Sequence, residues 1–118
     1  SGSCSPPYSF GSRFENGSGT NPEELLAAAH AGCFAMALSL ALDRAGFRPE
    51  RVEAEAAVTI ERDGDGFTIR SSALTCEAHV PGLDAATFAT HAEAAKSGCP
   101  VSKALAGVDI TLEASLAE

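Results

Sequence analysis

Positive charge is scarce in this chain of 118 residues. Eight Lys and Arg stand against 16 Asp and Glu, a formal net charge of −8, and the basic residues form no cluster. A nucleic-acid partner needs a basic footprint, so that class is excluded. Cysteine is also sparse: Cys4, Cys33, Cys76 and Cys99 are too few and too far apart for the disulfide framework of a small secreted domain. Closely spaced Cys or His pairs of the zinc type are missing, as are repeats and low-complexity segments. No charged-then-apolar leader opens the sequence, which gives the expectation of a cytoplasmic protein. The chain opens Ser1-Gly2-Ser3 rather than with Met, so residues 1–6 read as a tag remnant or a fragment edge. Hydrophobic content of 45% with 20% charge is that of a folded chain, and the length fits one domain spanning residues 1–118.

Charge is lacking altogether from Leu25 to Leu42, within the stretch "TNPEELLAAAHAGCFAMALSLAL". Its length raises a membrane span. Seven alanines, His30, Gly32 and Ser39 dilute the apolar run, and no basic anchor precedes it, so a buried central helix is the better reading. Thr20 or Asn21 is expected to cap it, with Pro22 in the first position and Glu23 and Glu24 facing the positive end of the dipole. Gly46 should end it, with Arg44 in the last turn. A helix apolar on nearly every side must be enclosed by a wrapped sheet or by a partner chain.

Downstream, Val52, Ala54, Ala56, Val58 and Ile60 alternate with polar residues as a half-buried strand, and "DGDG" at 63–66 makes a hairpin turn. On the return strand Phe67 and Ile69 share one parity, whereas Leu74, Cys76, Ala78 and Val80 share the other. That switch predicts a bulge near Ser71-Ser72. Asp84 should cap a second helix running to about Ser97, and Cys99 should cap a short one from Val101 to about Ala106. Val108, Ile110, Leu112, Ala114 and Leu116 form a last strand. The order predicts an α+β fold on an antiparallel sheet.

The cysteines divide by position. Cys76, on the apolar parity of its strand, reads as a small core residue. Cys4 receives no role. Cys99 at a helix start is placed where free N–H groups lower a thiol pKa, which makes it the better thiolate by position alone. Cys33 in mid-helix is either core filler or an active thiol, and activity requires a cation beside it. Arg13, flanked by aromatic residues, is the candidate. A metal site has little support, since Cys33 has only His30 within one turn; His30, His79 and His91 read as surface or core polar groups.

The central stretch, together with "SGCPVSKAL" and the upstream "PYSFGSRFENGSGTNPEE", resembles the family of osmotically inducible protein C and the organic hydroperoxide resistance proteins, more closely the former branch. The similarity runs from about Pro7 to the C-terminus. It implies an intertwined homodimer in which two long central helices are wrapped by sheets, and a thiol peroxidase for organic hydroperoxides with active sites at the dimer interface. By motif position, Cys33 is the peroxidatic cysteine, Cys99 the resolving one, Arg13 the activating arginine and Glu23 the glutamate that orients it. The further strands that the family usually carries before "PYSF" have no counterpart here.

The chemistry so implied runs through a Cys33 sulfenic acid and a Cys33–Cys99 disulfide, reduced by an external dithiol of lipoyl type or by thioredoxin, with no metal, haem or flavin. The rivals are a cysteine-based redox sensor or binding module without fast turnover, and a structural dimer with inert thiols. One conflict is visible in the spacing. Glu23 precedes Cys33 by ten residues, roughly 15 Å along a continuous helix at about 1.5 Å per residue. Either the helix breaks near Gly32, or Glu23 is supplied by the antiparallel helix of a partner.

Overall fold

The computed structural model describes residues 21–117, so Cys4, Arg13 and the extended piece expected near Tyr8 to Phe14 lie outside the described residues. Helix α1 spans Pro22–Arg44. Asn21 is its cap: the side-chain oxygen accepts the Glu24 N–H at 2.8 Å, satisfying one of the donors that a helix start leaves over. At the other end Phe47 N–H donates to Leu42 O at 2.9 Å and Gly46 N–H to Asp43 O at 3.0 Å. This Schellman arrangement requires the left-handed conformation that Gly46 adopts, at φ 91°. It also turns Phe47 back onto the core beside Leu42.

Strand β1 (Arg51–Asp63) pairs antiparallel with β2 (Gly66–His79), from Arg51 opposite His79 to Asp63 opposite Gly66. Thr59 faces Ser71 and Ile60 faces Ile69, leaving Arg70 as an extra residue on β2. The bulge therefore lies one residue before the Ser71-Ser72 position expected, and it produces the parity switch: beyond it Ser72, Leu74, Cys76 and Ala78 all turn inward. Helix α2 (Ala85–Gly98) is capped by Asp84, which accepts the Thr87 N–H at 2.9 Å. Helix α3 (Pro100–Ala104) follows directly, shorter than expected, with Cys99 as its cap.

Strand β3 (Asp109–Leu116) lies parallel to β2, from Ser71 beside Asp109 to Ala78 beside Leu116, so the sheet has the order β1-β2-β3 and is mixed rather than wholly antiparallel. The cause is the connection. Alternating polarity identifies a strand but carries no direction, and the α2–α3 crossover returns the chain to enter the sheet the same way as β2.

The core is built where α1 crosses the sheet. Phe34, Leu38 and Leu42, spaced four apart on one face of α1, pack with Leu74, Cys76 and Ala78 of β2 and Phe88, Ala92 and Ala95 of α2. By length and composition α1 could cross a membrane, but this stripe is committed to the sheet. Its opposite face is open in the single chain, where Met36 is 76% exposed and Leu40 50%.

Truncating Phe34, which is fully buried, to Ala should therefore lower unfolding free energy in urea by about 3–5 kcal/mol. Phe67→Ala, at a hairpin position 49% exposed, should cost under about 1 kcal/mol. Equal losses at the two positions would contradict this placement of the core.

Candidate active site

Two free thiols meet where α1 passes the start of α3. Cys33 is partly exposed and Cys99 is fully buried. Cys99 owes its place to being a cap: the Ser102 N–H donates to its sulfur at 3.3 Å, as it would to a serine or aspartate oxygen. Gly98 ends α2 immediately before it, and Pro100 starts α3 with a residue that has no N–H to leave unpaired.

The surroundings drive the two thiols in opposite directions. Burial pushes Cys33 up; the Val101 backbone N–H opposes this, and the adjacent Cys99 sulfur reinforces it. Burial alone would raise Cys99 as well. Hydrogen bonding with the Ser102 side chain and N–H, with Cys33 and with the Val101 N–H outweighs burial and brings Cys99 below the ordinary thiol range. Among the described residues, then, Cys99 is the more acidic thiol of the pair and Cys33 the less acidic. This agrees with what position alone gave for Cys99. The cation assigned to Cys33, Arg13, lies outside the described residues.

Behind the thiols sits His30, fully buried one turn before Cys33. Its Nδ1 lies 2.7 Å from Ser72 Oγ on β2, and its Nε2 lies 2.7 Å from Ser102 Oγ on α3. The Cys99 thiol in turn donates to Ser102 Oγ at 3.3 Å. One unbroken line of polar contacts runs from the sheet through the central helix to the Cys99 sulfur. Burial lowers the His30 pKa and keeps the ring neutral. With both nitrogens engaged by serine hydroxyls, His30 is not placed to serve Cys33 as a fellow metal ligand. No group of three or more His, Cys, Asp or Glu among the described residues could hold a metal ion.

Cys33 opens onto an apolar groove of about 950 Å³, with Gly32, Met36 and Leu40 of α1 on one wall and Ala95 and Pro100 on the other. That is the size and character of a small-molecule site. Glu23 is buried at the first turn of α1. It is not brought to Cys33, because α1 runs unbroken through Gly32; the arrangement with a break there is ruled out. Ser72 and Ser102 went unmarked by the sequence, and His30 was marked only as a polar group. Two signals were present: Ser72 is the lone hydroxyl on the inward parity of β2, and Ser102 stands three residues after Cys99, as Cys33 stands three after His30.

A pair of interacting thiols of opposed acidity, held by a long helix over a mixed sheet, defines a thiol-redox protein of α+β class. The chain belongs to the OsmC family: the family model described as OsmC-like protein matches residues 15–113. It is 51% identical over 110 residues to the peroxiredoxin OsmC of Escherichia coli strain K12, covering 93% of this chain and 76% of that protein. It is 38% identical over 99 residues to an organic hydroperoxide resistance protein of Xanthomonas axonopodis pv. citri, covering 81% and 67%. Among solved structures, the organic hydroperoxide resistance protein OhrB of Bacillus subtilis superposes with a TM-score of 0.69 at 35% identity, over 85% of this chain and 73% of that one.

The third described thiol is set apart. Burial, with a smaller contribution from the Glu77 charge, pushes Cys76 from its ordinary 9.0 up to about 11. Alkylation at pH 8 should spare Cys76 in the folded protein while Cys33 reacts. A neutral form favoured by folding is lost as pH rises, so Cys76 should make the fold weaken between pH 9 and about 11. Cys76→Ala should remove that component of the pH–stability curve. Fast labelling of Cys76 at pH 8 would contradict its burial.

Proposed function

We propose that the chain is a thiol peroxidase that reduces organic hydroperoxides to alcohols and works as a homodimer. The observation that carries this reading is the asymmetry of the thiol pair: Cys33 is partly exposed on an apolar groove, while Cys99 is sealed behind it. A peroxide reaches Cys33 first. The apolar walls reward a substrate with buried carbon, which favours alkyl hydroperoxides over hydrogen peroxide.

The Cys33 thiolate attacks the distal peroxide oxygen, breaking the O–O bond to give a Cys33 sulfenic acid and an alcohol. Arg13 supplies the charge that lowers the Cys33 pKa and polarises the O–O bond. Cys99, whose hydrogen bonds favour its thiolate, then displaces the sulfenic oxygen to form the Cys33–Cys99 disulfide, and water leaves. An external dithiol, of lipoyl type or thioredoxin, restores both thiols by exchange. The names of the relatives support peroxide chemistry. Homodimerisation is supported by the open apolar face of α1, where Met36 and Leu40 need cover. Glu23 then acts from a second copy, because its own helix is unbroken between it and Cys33.

Steady-state consumption of cumene hydroperoxide with a dithiol separates an enzyme from a redox sensor that is oxidised without turnover. Cys33→Ser should abolish consumption, and Cys99→Ser should allow one sulfenic acid event per chain and then stall. If Cys99→Ser alone loses the first oxidation, the two roles are reversed. Arg13→Lys should lose about 100-fold in rate, the scale for removing one oriented charge-stabilising donor, because an ammonium cannot hold a carboxylate by two parallel bonds while facing a thiolate.

The position of Glu23 is tested by mixing two inactive parents, Glu23→Ala and Cys33→Ser. Each mixed dimer keeps one Cys33, which receives its glutamate from the Cys33→Ser chain, so activity should reappear. No recovery, with heterodimers confirmed by mass, would put Glu23 in the same subunit as its cysteine.

A further inference from the structure

The peroxidase reading uses Cys33, Cys99, Arg13 and Glu23 and leaves a buried histidine without a task. His30 is fully buried, as are Ser72 and Cys99, and Ser102 is 5% exposed. Placing a titratable ring there costs desolvation that a leucine would avoid, and only its hydrogen bonds offset that cost. Those bonds run to two hydroxyls. One hydroxyl, Ser102 Oγ, touches the sulfur of the resolving thiol at 3.3 Å.

We propose that Ser102 and His30 form a proton relay for Cys99, with Ser102 as the group in contact with the reacting sulfur, His30 as the positioning residue that receives the proton, and Ser72 as the clamp on the ring. The inference rests on the peroxidase reading. In the resting state Nδ1–H donates to Ser72 Oγ, the Ser102 hydroxyl donates to the bare Nε2, and the Cys99 thiol donates to Ser102 Oγ. The Ser102 hydroxyl then has both its donor and its acceptor side occupied on this line.

When Cys33 becomes a sulfenic acid, the Cys99 S–H bond breaks. Its proton passes to Ser102 Oγ as the Ser102 proton passes to His30 Nε2. The Cys99 sulfur bonds to the Cys33 sulfur and the Cys33 S–O bond breaks. Cys99 is oxidised, the sulfenic sulfur is reduced, and the hydroxide released takes up the net proton and leaves as water. An imidazolium does not persist in so enclosed a place: its Nε2 proton returns through Ser102 to that hydroxide, which is the net proton of the step, and His30 is left neutral. The arrangement gives Cys99 a base without exposing it to solvent, where peroxide would compete for it.

The test follows the lifetime of the Cys33 sulfenic acid after one equivalent of cumene hydroperoxide at pH 7, by rapid-quench trapping with dimedone and mass spectrometry. In Ser102→Ala and in His30→Gln the trapped species should persist about tenfold longer than in the wild type, the loss of thiolate that one pKa unit represents below the pKa. Ser102→Thr, which keeps the hydroxyl, should restore the short lifetime; a purely structural role for the site would be disturbed at least as much by the added methyl. An unchanged lifetime in Ser102→Ala overturns the relay while leaving the peroxidase reading standing. No sulfenic acid at Cys33 even in the wild type overturns both. Should either substitution prevent folding, the wild type decides: ¹⁵N shifts of the His30 ring in the reduced protein should show a bare Nε2, and a proton fixed on Nε2 would overturn the relay.

Discussion

A helix with no charge from Leu25 to Leu42 has to be covered, and the rest of the molecule is arranged around that need. The sheet and α2 cover the stripe of Phe34, Leu38 and Leu42. Because a helix presents side chains on all sides and the sheet only one face, Met36 and Leu40 stay open along the other. Cys33 sits on the border between these faces. One side of it meets Cys99 and α3, and the other meets the apolar groove. The same geometry that leaves Met36 and Leu40 exposed therefore gives the thiol both a neighbouring thiol and an open apolar surface.

Into this apolar axis the chain inserts one polar crossbar. His30 bridges Ser72 on β2 and Ser102 on α3, so a single ring ties sheet, central helix and cap helix together at the thiols. No buried side-chain nitrogen or oxygen among the described residues lacks a partner. A network that is satisfied at every atom holds its members in one arrangement, because any shift leaves a buried group unpaired. Fixing Ser102 fixes Cys99, and with it the line along which Cys99 meets Cys33.

Much of this was legible in the residues, and where it was not the reason is physical. Asn21, Pro22 and Gly46 mark the ends of α1 through local backbone chemistry, which sequence records directly. The bulge was visible as a change of parity, and Arg70 places it one residue from the expected position. The direction of β3 was not legible, since alternation along Ile110, Leu112 and Leu116 is the same in either orientation and the crossover decides. Cys99 could be recognised as a cap from the proline after it. The His30 bridge could not, because its two hydroxyls come from residues 42 and 72 positions away, and only the packing of three elements joins them. Glu23 shows the same limit: the unbroken helix keeps it from Cys33 within one chain, and its proposed place of action is in a second copy.

The decisive measurement is on the thiol pair itself. Reduced wild-type protein, given one equivalent of cumene hydroperoxide, quenched with an alkylating reagent, denatured and digested, should yield one linked peptide pair joining Cys33 to Cys99 within a single chain, with Cys76 recovered as a thiol. Recovery of Cys33 and Cys99 both as alkylated thiols after the peroxide has been consumed, or a disulfide that joins either of them to Cys76, would contradict it.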